Sequence, residues 1–446
     1  MNTPSPLESS SMKTLSSWKE ISSYLGVDIK TAQRYETKLG LPVHRREGLL
    51  RSRVFAFRDE IDQWQNRNSA IKLKPQKVIW LFRRRLFLAI LGVIALAAFS
   101  YFIYSHTLRS AQPANFRIDL STLVILDKFG RDLWPFETHA LNLWEENQYR
   151  DAFQRKKEIS DEIRMLPVIM IKDIDLDGLN EVLFSIQTTD GLKAGILYCL
   201  DSHGTELWRF EAGREIQLGS RVYPKDFVII GVDVSDLNND GRMEIFLMAH
   251  AREEIPTRVV ILNVRGDLMG EYWNVGQFND YAFEDLNSDG RKEILLVGQN
   301  NGYDRPCLVV LDSDSMRGIS PSRPPLECRD LAKGSEKYYL LFRLTELDRL
   351  YEPKVALCKI DLLSSGRIQV RTTFSYVFYE LDFELQSQEV VLSDTYKKRY
   401  QNAAREGKLG LLDEQKMELI RKELAGGIEY YNGASWGPHH AMSNRW

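Results

Sequence analysis

Cysteine is scarce: Cys199, Cys307, Cys328 and Cys358 are the only four in 446 residues, and no two are spaced CxxC. That excludes a zinc ribbon or a dithiol redox motif. There are only seven histidines, and His439 and His440, adjacent near the end, read as exposed tail residues rather than metal ligands. No nucleophile-with-base pattern, paired catalytic carboxylates or histidine-rich cluster stands out, so no enzyme is expected. The net charge is small, −3, but it hides an asymmetry. Residues 1–85 carry 17 Lys and Arg against 8 Asp and Glu, a balance of +9 that leaves −12 for the remainder. A basic part and an acidic part suggest different partners.

Long apolar runs are also missing, with one exception. Leu86 to Ser105 has twenty residues and no charged side chain, enough as a helix of about 1.5 Å rise per residue to cross a hydrocarbon core of about 30 Å. It is longer than a signal-peptide core and follows about 85 patterned residues, which argues against a cleaved leader. Lys72, Lys74, Lys77, Arg83, Arg84 and Arg85 precede it, and only His106 and Arg109 follow closely. By the positive-inside rule the N-terminus is cytoplasmic and the chain is a single-pass cell-membrane protein. The cysteines then lie outside, where disulfides are permitted. Four allow three complete pairings, and the apolar runs around Cys199 and Cys307 equally suit buried thiols.

Residues 1–13 are Ser- and Pro-rich and read as a disordered tail. Trp18, Ile21 and Leu25 give one apolar face to a short helix, with Ser16 or Ser17 as cap and Gly26 as stop. Asp28 caps a second helix ending at Gly40 and Pro42. With Ala32 and Tyr35 packed inward, Lys30, Thr31, Gln33 and Arg34 point outward, with Lys38 further along. Two extended runs follow, containing His44, Arg45 and Arg46, then Arg51 and Arg53, before a closing helix with Ile61 and Trp64. Through SWKEISSYLGV, TAQRYE, LGLPVHR and RVFAFRDEIDQW, residues 15–67 resemble the winged helix-turn-helix domains of the MerR and excisionase type. The resemblance implies duplex DNA binding, with the second helix in the major groove and the basic residues on phosphates. Leu49 and Leu50 at the wing tip depart from that pattern.

Beyond the run, a nine-residue pattern recurs. Asp173, Asp175, Asp177 and Glu181 match Asp236, Asn238, Asp240 and Glu244, and Asp285, Asn287, Asp289 and Glu293, each with Gly at the sixth place. Three alternate oxygen side chains about a tight turn suit a hard cation such as calcium. EF-hands are excluded, because their twelfth position needs Glu and here holds Phe184, Leu247 and Leu296. Strands follow each loop, and hairpins recur in LVILDKFGRDLW, ILYCLDSHGTELWRF and VVILNVRGDLMGEYW. The glycines Gly178, Gly241 and Gly290 recur at 49 to 63 residues, the length of a four-stranded propeller blade. Residues 115–330 resemble FG-GAP and VCBS calcium repeats, which implies structural calcium at up to three sites. Later segments keep strand spacing without the acids. Two helices are expected at 396–406 and 412–424, then a strand near 427–432 that closes the ring against 116–134. Residues 144–163 read as a charged insertion.

The expected fold class is multidomain: a small α+β winged helix-turn-helix at 14–68, a basic linker at 69–85, one transmembrane helix at 86–105, and a mainly-β propeller-like domain of about five to seven blades at 115–446. The leading functional expectation is a membrane-tethered one-component transcription regulator, dimerising to read DNA and sensing an unknown outer ligand or protein. The alternative is a surface protein- or glycan-binding propeller whose N-terminal domain is not regulatory. A quinone-dependent propeller dehydrogenase is the least favoured reading.

Overall fold

The computed structural model describes residues 13–46, 53–68, 87–101, 111–153, 165–190, 194–253, 255–352 and 354–439. The chain divides into two compact units, Met1–Ser100 and Tyr101–Trp446. The expected tail, linker and wing tip, and Arg51 with them, lie outside the described residues.

The first unit contains β1 (Thr14–Leu15), α1 (Trp18–Leu25), α2 (Ile29–Leu39), β2 (His44–Arg46), β3 (Arg53–Phe57) and α3 (Arg58–Asn68). The strands form one antiparallel sheet in the order β1-β3-β2. The starts of α1 and α2 are set by side-chain oxygens: Ser17 accepts from Glu20 N and Asp28 from Thr31 N, relieving donors that the first turn leaves unpaired. Gly26 and Gly40 end α1 and α2 in the left-handed region. Leu15, Ile21, Leu41, Ala56 and Ile61 form the core, with Trp18, Tyr35 and Trp64 packed on it.

Residues 87–101 are helical and are labelled α4. This corrects the expectation of a span over Leu86–Ser105: among the described residues no helix is long and apolar enough to cross a membrane. Leu86 and residues 102–105 of that expected span lie outside the described residues.

The second unit is mainly β and built of small antiparallel meanders. The first holds β4 (Asn115–Asp119), β5 (Thr122–Leu126) and β6 (Asp132–Glu137), followed by α5 (Glu146–Phe153). The second holds β7 (Ile169–Lys172), β8 (Glu181–Ser185), β9 (Ile196–Leu200) and β10 (Glu206–Glu211). A hairpin, β11 (Ile216–Leu218) and β12 (Arg221–Tyr223), leads to the third: β13 (Phe227–Ser235), β14 (Glu244–Ala251), β15 (Thr257–Leu262) and β16 (Leu268–Asn274). The fourth comprises β17 (Phe278–Glu284), β18 (Glu293–Asn300), β19 (Arg305–Asp312) and β20 (Tyr338–Leu341). After α6 (Glu346–Tyr351) comes the fifth: β21 (Leu357–Leu363), β22 (Arg367–Thr372), β23 (Val377–Leu381) and β24 (Ser387–Leu392). Helices α7 (Asp394–Arg405) and α8 (Glu414–Gly426) precede β25 (Glu429–Tyr431) and β26 (Trp436–Gly437). The inner strands β8, β14, β15 and β18 carry unbroken buried runs, as expected where both faces are covered.

Tryptophans key neighbouring meanders together. Trp134 on β6 donates its Nε1–H to Ser202 O at 3.0 Å, and its ring lies where a Cβ on Gly204 would come within 2.7 Å. One meander further on, Trp208 on β10 donates to Val264 O at 2.9 Å and its ring covers Gly266. Both glycines also have positive φ, +86° and +80°, so a side chain is disfavoured on two grounds. In the third meander the corresponding place holds Gly270, against which Met316 packs.

One further expectation is corrected. The final strand does not pair with residues 116–134: β25 pairs with β20, extending the fourth sheet to the order β17-β18-β19-β20-β25-β26. Of residues 144–163, expected as a charged insertion, 154–163 lie outside the described residues; within the described part, Tyr149 of α5 is fully buried in the first core beside Phe116, Phe184 and Leu123. Tyr149 is anchored there by accepting from Gln187 N at 2.7 Å. All four cysteines are free; Cys199, Cys307 and Cys358 are buried.

Candidate functional site: three acidic loops

Each acidic loop connects the first two strands of its sheet, β7 to β8, β13 to β14 and β17 to β18. Their internal bonding is nearly superimposable. The first aspartate accepts from the glycine at position six: Asp173 from Gly178 N at 2.9 Å, Asp236 from Gly241 N at 3.0 Å, Asp285 from Gly290 N at 2.8 Å. The third residue accepts from the fifth, in Asp175, Asn238 and Asn287, all at 3.1 Å. The fifth accepts from the seventh, in Asp177, Asp240 and Asp289, at 2.7 to 2.8 Å. Such a wrap turns the oxygens inward. It also forces the fourth and sixth residues to positive φ: Leu176, Asn239 and Ser288, and the three glycines.

The ninth residue has a different task from the one expected. Glu181, Glu244 and Glu293 are buried and accept from the backbone N–H of the second residue, Ile174, Leu237 and Leu286, at 2.8 to 2.9 Å. They brace the loop base. In the first loop only Asp173, Asp175 and Asp177 converge, with ligand oxygens all within 4.8 Å of one another; Glu181 is not in that group. Burial, with added repulsion from the three aspartates, pushes the Glu181 carboxyl up to about 7, and burial also raises Glu244.

Orphaned oxygens test whether a cation fits. Asp173 Oδ1 and Asp236 Oδ1 are buried and have no hydrogen-bond partner, a costly state for a carboxylate that a metal ion would relieve. The donor set is all oxygen, as a hard cation requires. The third loop differs: Asp285 Oδ1 already accepts from Asp289 N at 3.1 Å. Lys337 bonds Glu293 at 2.5 Å, and Arg291 pairs with Asp314. The first two loops fit a cation better than the third. The loops are also linked in series. Lys172 Nζ donates to Val234 O at 2.7 Å, Lys292 N to Leu237 O at 2.7 Å and Lys292 Nζ to Ser235 Oγ at 3.1 Å. Sequence reasoning missed these lysines. The only signal was their place beside the acidic pattern, and Lys337, 44 residues from Glu293, had none.

The expected DNA-contacting set is divided by the structure. Lys30, Gln33, Arg34, Lys38 and Arg53 are exposed. Thr31 instead donates its hydroxyl to Asp28 at 2.7 Å within the helix cap. His44 bonds Glu60 at 2.6 Å and stacks on Phe55. Arg45 pairs with Glu36 at 2.7 Å, and Arg46 lies over the Phe55 ring. Four of the residues assigned to DNA thus have partners within their own unit, and of these Arg45 and Arg46 are also exposed.

No family model matches the chain, and no curated protein matches it. Solved structures do. A crystal structure of BBS1N in complex with ARL6DN, soaked with mercury, shares 11% identity over 64% of this chain and 70% of that one, with a TM-score of 0.33. A structure of the Dos1 propeller shares 10% over 60% and 62%, at 0.25. The Vibrio cholerae biofilm matrix protein Bap1 shares 14% over 49% and 33%, at 0.20. Likeness this distant carries neither fold detail nor function across. With no matching family model, neither the MerR or excisionase membership of residues 15–67 nor the FG-GAP or VCBS membership of residues 115–330 stands. DNA binding is set aside with the first of them.

Proposed function

We propose that the β unit is a non-catalytic interaction module, a propeller-like ring of blade-like meanders that binds a protein or a glycan, with calcium as structural ligand of its acidic loops. The regulatory reading needed both a membrane span and a DNA reader, and neither is retained. The observation that carries the proposal is the threefold repetition of one loop geometry on successive sheets, with a buried, partnerless aspartate oxygen in each of the first two loops. Five meanders among the described residues agree with a ring of about five to seven blades. Asp173, Asp175 and Asp177 would hold the first ion, Asp236, Asn238 and Asp240 the second, and Asp285, Asn287 and Asp289 the third. Glu181, Glu244 and Glu293 would support these loops from beneath. Calcium here supplies rigidity: it neutralises charge that otherwise repels across each turn and fixes the outer loops as a binding surface.

The test uses the full chain, immobilised on beads and presented to a printed array of oligosaccharides and purified proteins, in calcium and again in chelator. Retention on defined spots in calcium, reduced in chelator, is expected. Retention on none of them, or elemental analysis finding no bound metal alongside an unchanged melting temperature on chelation, overturns the reading.

A further inference from the structure

The strand β19 does not turn directly into β20; residues 313–337 make an excursion between them. Ile319 ties it down through parallel bridges to Trp273 and Lys333. Where this excursion meets the turn before β19 and the final hairpin β25–β26, the surface sinks into a cavity of about 410 Å³, within the range of about 300 to 1,000 Å³ of small-molecule sites. None of the acidic loops borders it.

Its walls are of two kinds. Tyr303, Tyr431 and Trp436 form an aromatic side, with the Trp436 ring 5.1 Å from Tyr303 and 5.0 Å from Tyr431. All three rings are only partly buried, and Trp436 Nε1 has no hydrogen-bond partner. The cavity is also lined by two acids, Glu327 and Glu336, and two bases, Arg329 and Lys333. Glu336 is held in place: it accepts from the buried Tyr272 hydroxyl at 2.5 Å and lies so close over Gly334 that a Cβ there would meet Oε1 at 2.1 Å.

We propose that this cavity is a saccharide-binding site, in which a sugar ring lays its C–H face on Tyr303 and Trp436 and offers its hydroxyls to Glu327, Glu336, Arg329 and Lys333. The inference deepens the module reading above and rests on it. The charge balance selects the ligand class. Two acids oppose an anion and two bases oppose a metal cation, so a neutral ligand is favoured. It must satisfy donors and acceptors together, and a hydroxyl is both. A polyproline segment also suits aromatic walls, but it offers carbonyl acceptors almost alone and has no donor to give Glu327.

Methyl glycosides of glucose, galactose, mannose and N-acetylglucosamine serve as probes, titrated into the full chain with saturation-transfer NMR as readout. At least one is expected to bind in the millimolar range, as for ligands of this size, with the strongest transfer to protons of one sugar face. Tyr303→Leu is expected to weaken it at least tenfold. Glu327→Gln, at an exposed side chain that leaves the fold and its melting temperature unchanged, is expected to weaken it several-fold. Absence of binding by every glycoside, or binding that both substitutions leave unchanged, overturns the proposal. So does an oligoproline peptide that binds the wild type and is lost in Tyr303→Leu, which reassigns the cavity. If the array retains protein spots while the glycosides fail, the cavity assignment falls and the module reading stands.

Discussion

The second to fourth meanders and the fifth solve the same problem by different means. The former have acidic loops whose carboxylates wrap the backbone from within, and their sheets are buried by neighbouring sheets. The fifth has no acidic loop. Its core is shared with helices, through Leu347 of α6, Tyr396, Tyr400 and Ala403 of α7, and Ile420 and Leu424 of α8. These helices are tied by Glu346, which accepts from the Tyr400 hydroxyl and from Lys416 Nζ, both at 2.8 Å. One region therefore stores negative charge that a cation can relieve, whereas the other pairs its charge within the chain. Only the first should respond to metal.

The largest expected effect breaks the helix-braced side. Tyr396→Ala removes a fully buried ring and should cost about 3–5 kcal/mol, read by urea denaturation, with the same loss in calcium and in chelator. A loss that depends on calcium would erase the distinction between the regions. Next comes the metal itself. At calcium one hundredfold above Kd each occupied site adds about 2.7 kcal/mol, so chelation should lower the melting temperature. Pairing Asp175→Asn with Asp177→Asn should shrink that shift while leaving the chelator-treated protein unharmed.

Gly204→Ala probes the keying of sheets rather than metal. It drives a methyl into the Trp134 ring at positive φ and should cost about 1–3 kcal/mol. Gly366→Ala, also at positive φ but with open space around it, should show only the backbone strain of about 1–2 kcal/mol. Equal losses would mean the tryptophan contact adds nothing. The smallest effect sharpens the ranking of loops. Lys337→Met frees Glu293 from its partner and should tighten calcium at the third loop several-fold by titration calorimetry, moving it toward the other two.

Much of the second unit was readable because its signals are local. D-x-[DN]-x-D-G-x-x-E dictates its own turn, and the hairpin caps follow from one side chain reaching two residues on. Asp127 accepts from Phe129 N, Asp201 from His203 N and Asn263 from Arg265 N. Helices α7 and α8 were likewise anticipated to within a few residues. Hydropathy misled in the opposite direction. Twenty uncharged residues satisfied a composition rule, whereas among the described residues no helix is long and apolar enough to cross a membrane. Basic residues beside a short helix suggested DNA contacts, but Arg45 and His44 had acids within reach in the fold. Which charges remain free depends on neighbours distant in sequence.

By itself, then, the sequence determined the repeated loops, the meander hairpins, the helix caps and the cysteines' lack of a metal motif, because each arises from atoms within about ten residues. Tertiary structure alone decided that the ninth-position glutamates brace rather than converge, that Lys337 neutralises only the third loop, and that β25 joins β20 instead of closing on the first strands. It also brought Tyr303, Glu336 and Trp436 around one cavity. Pairing and burial over such separations depend on which surfaces meet when the chain packs, and no local pattern carries that information.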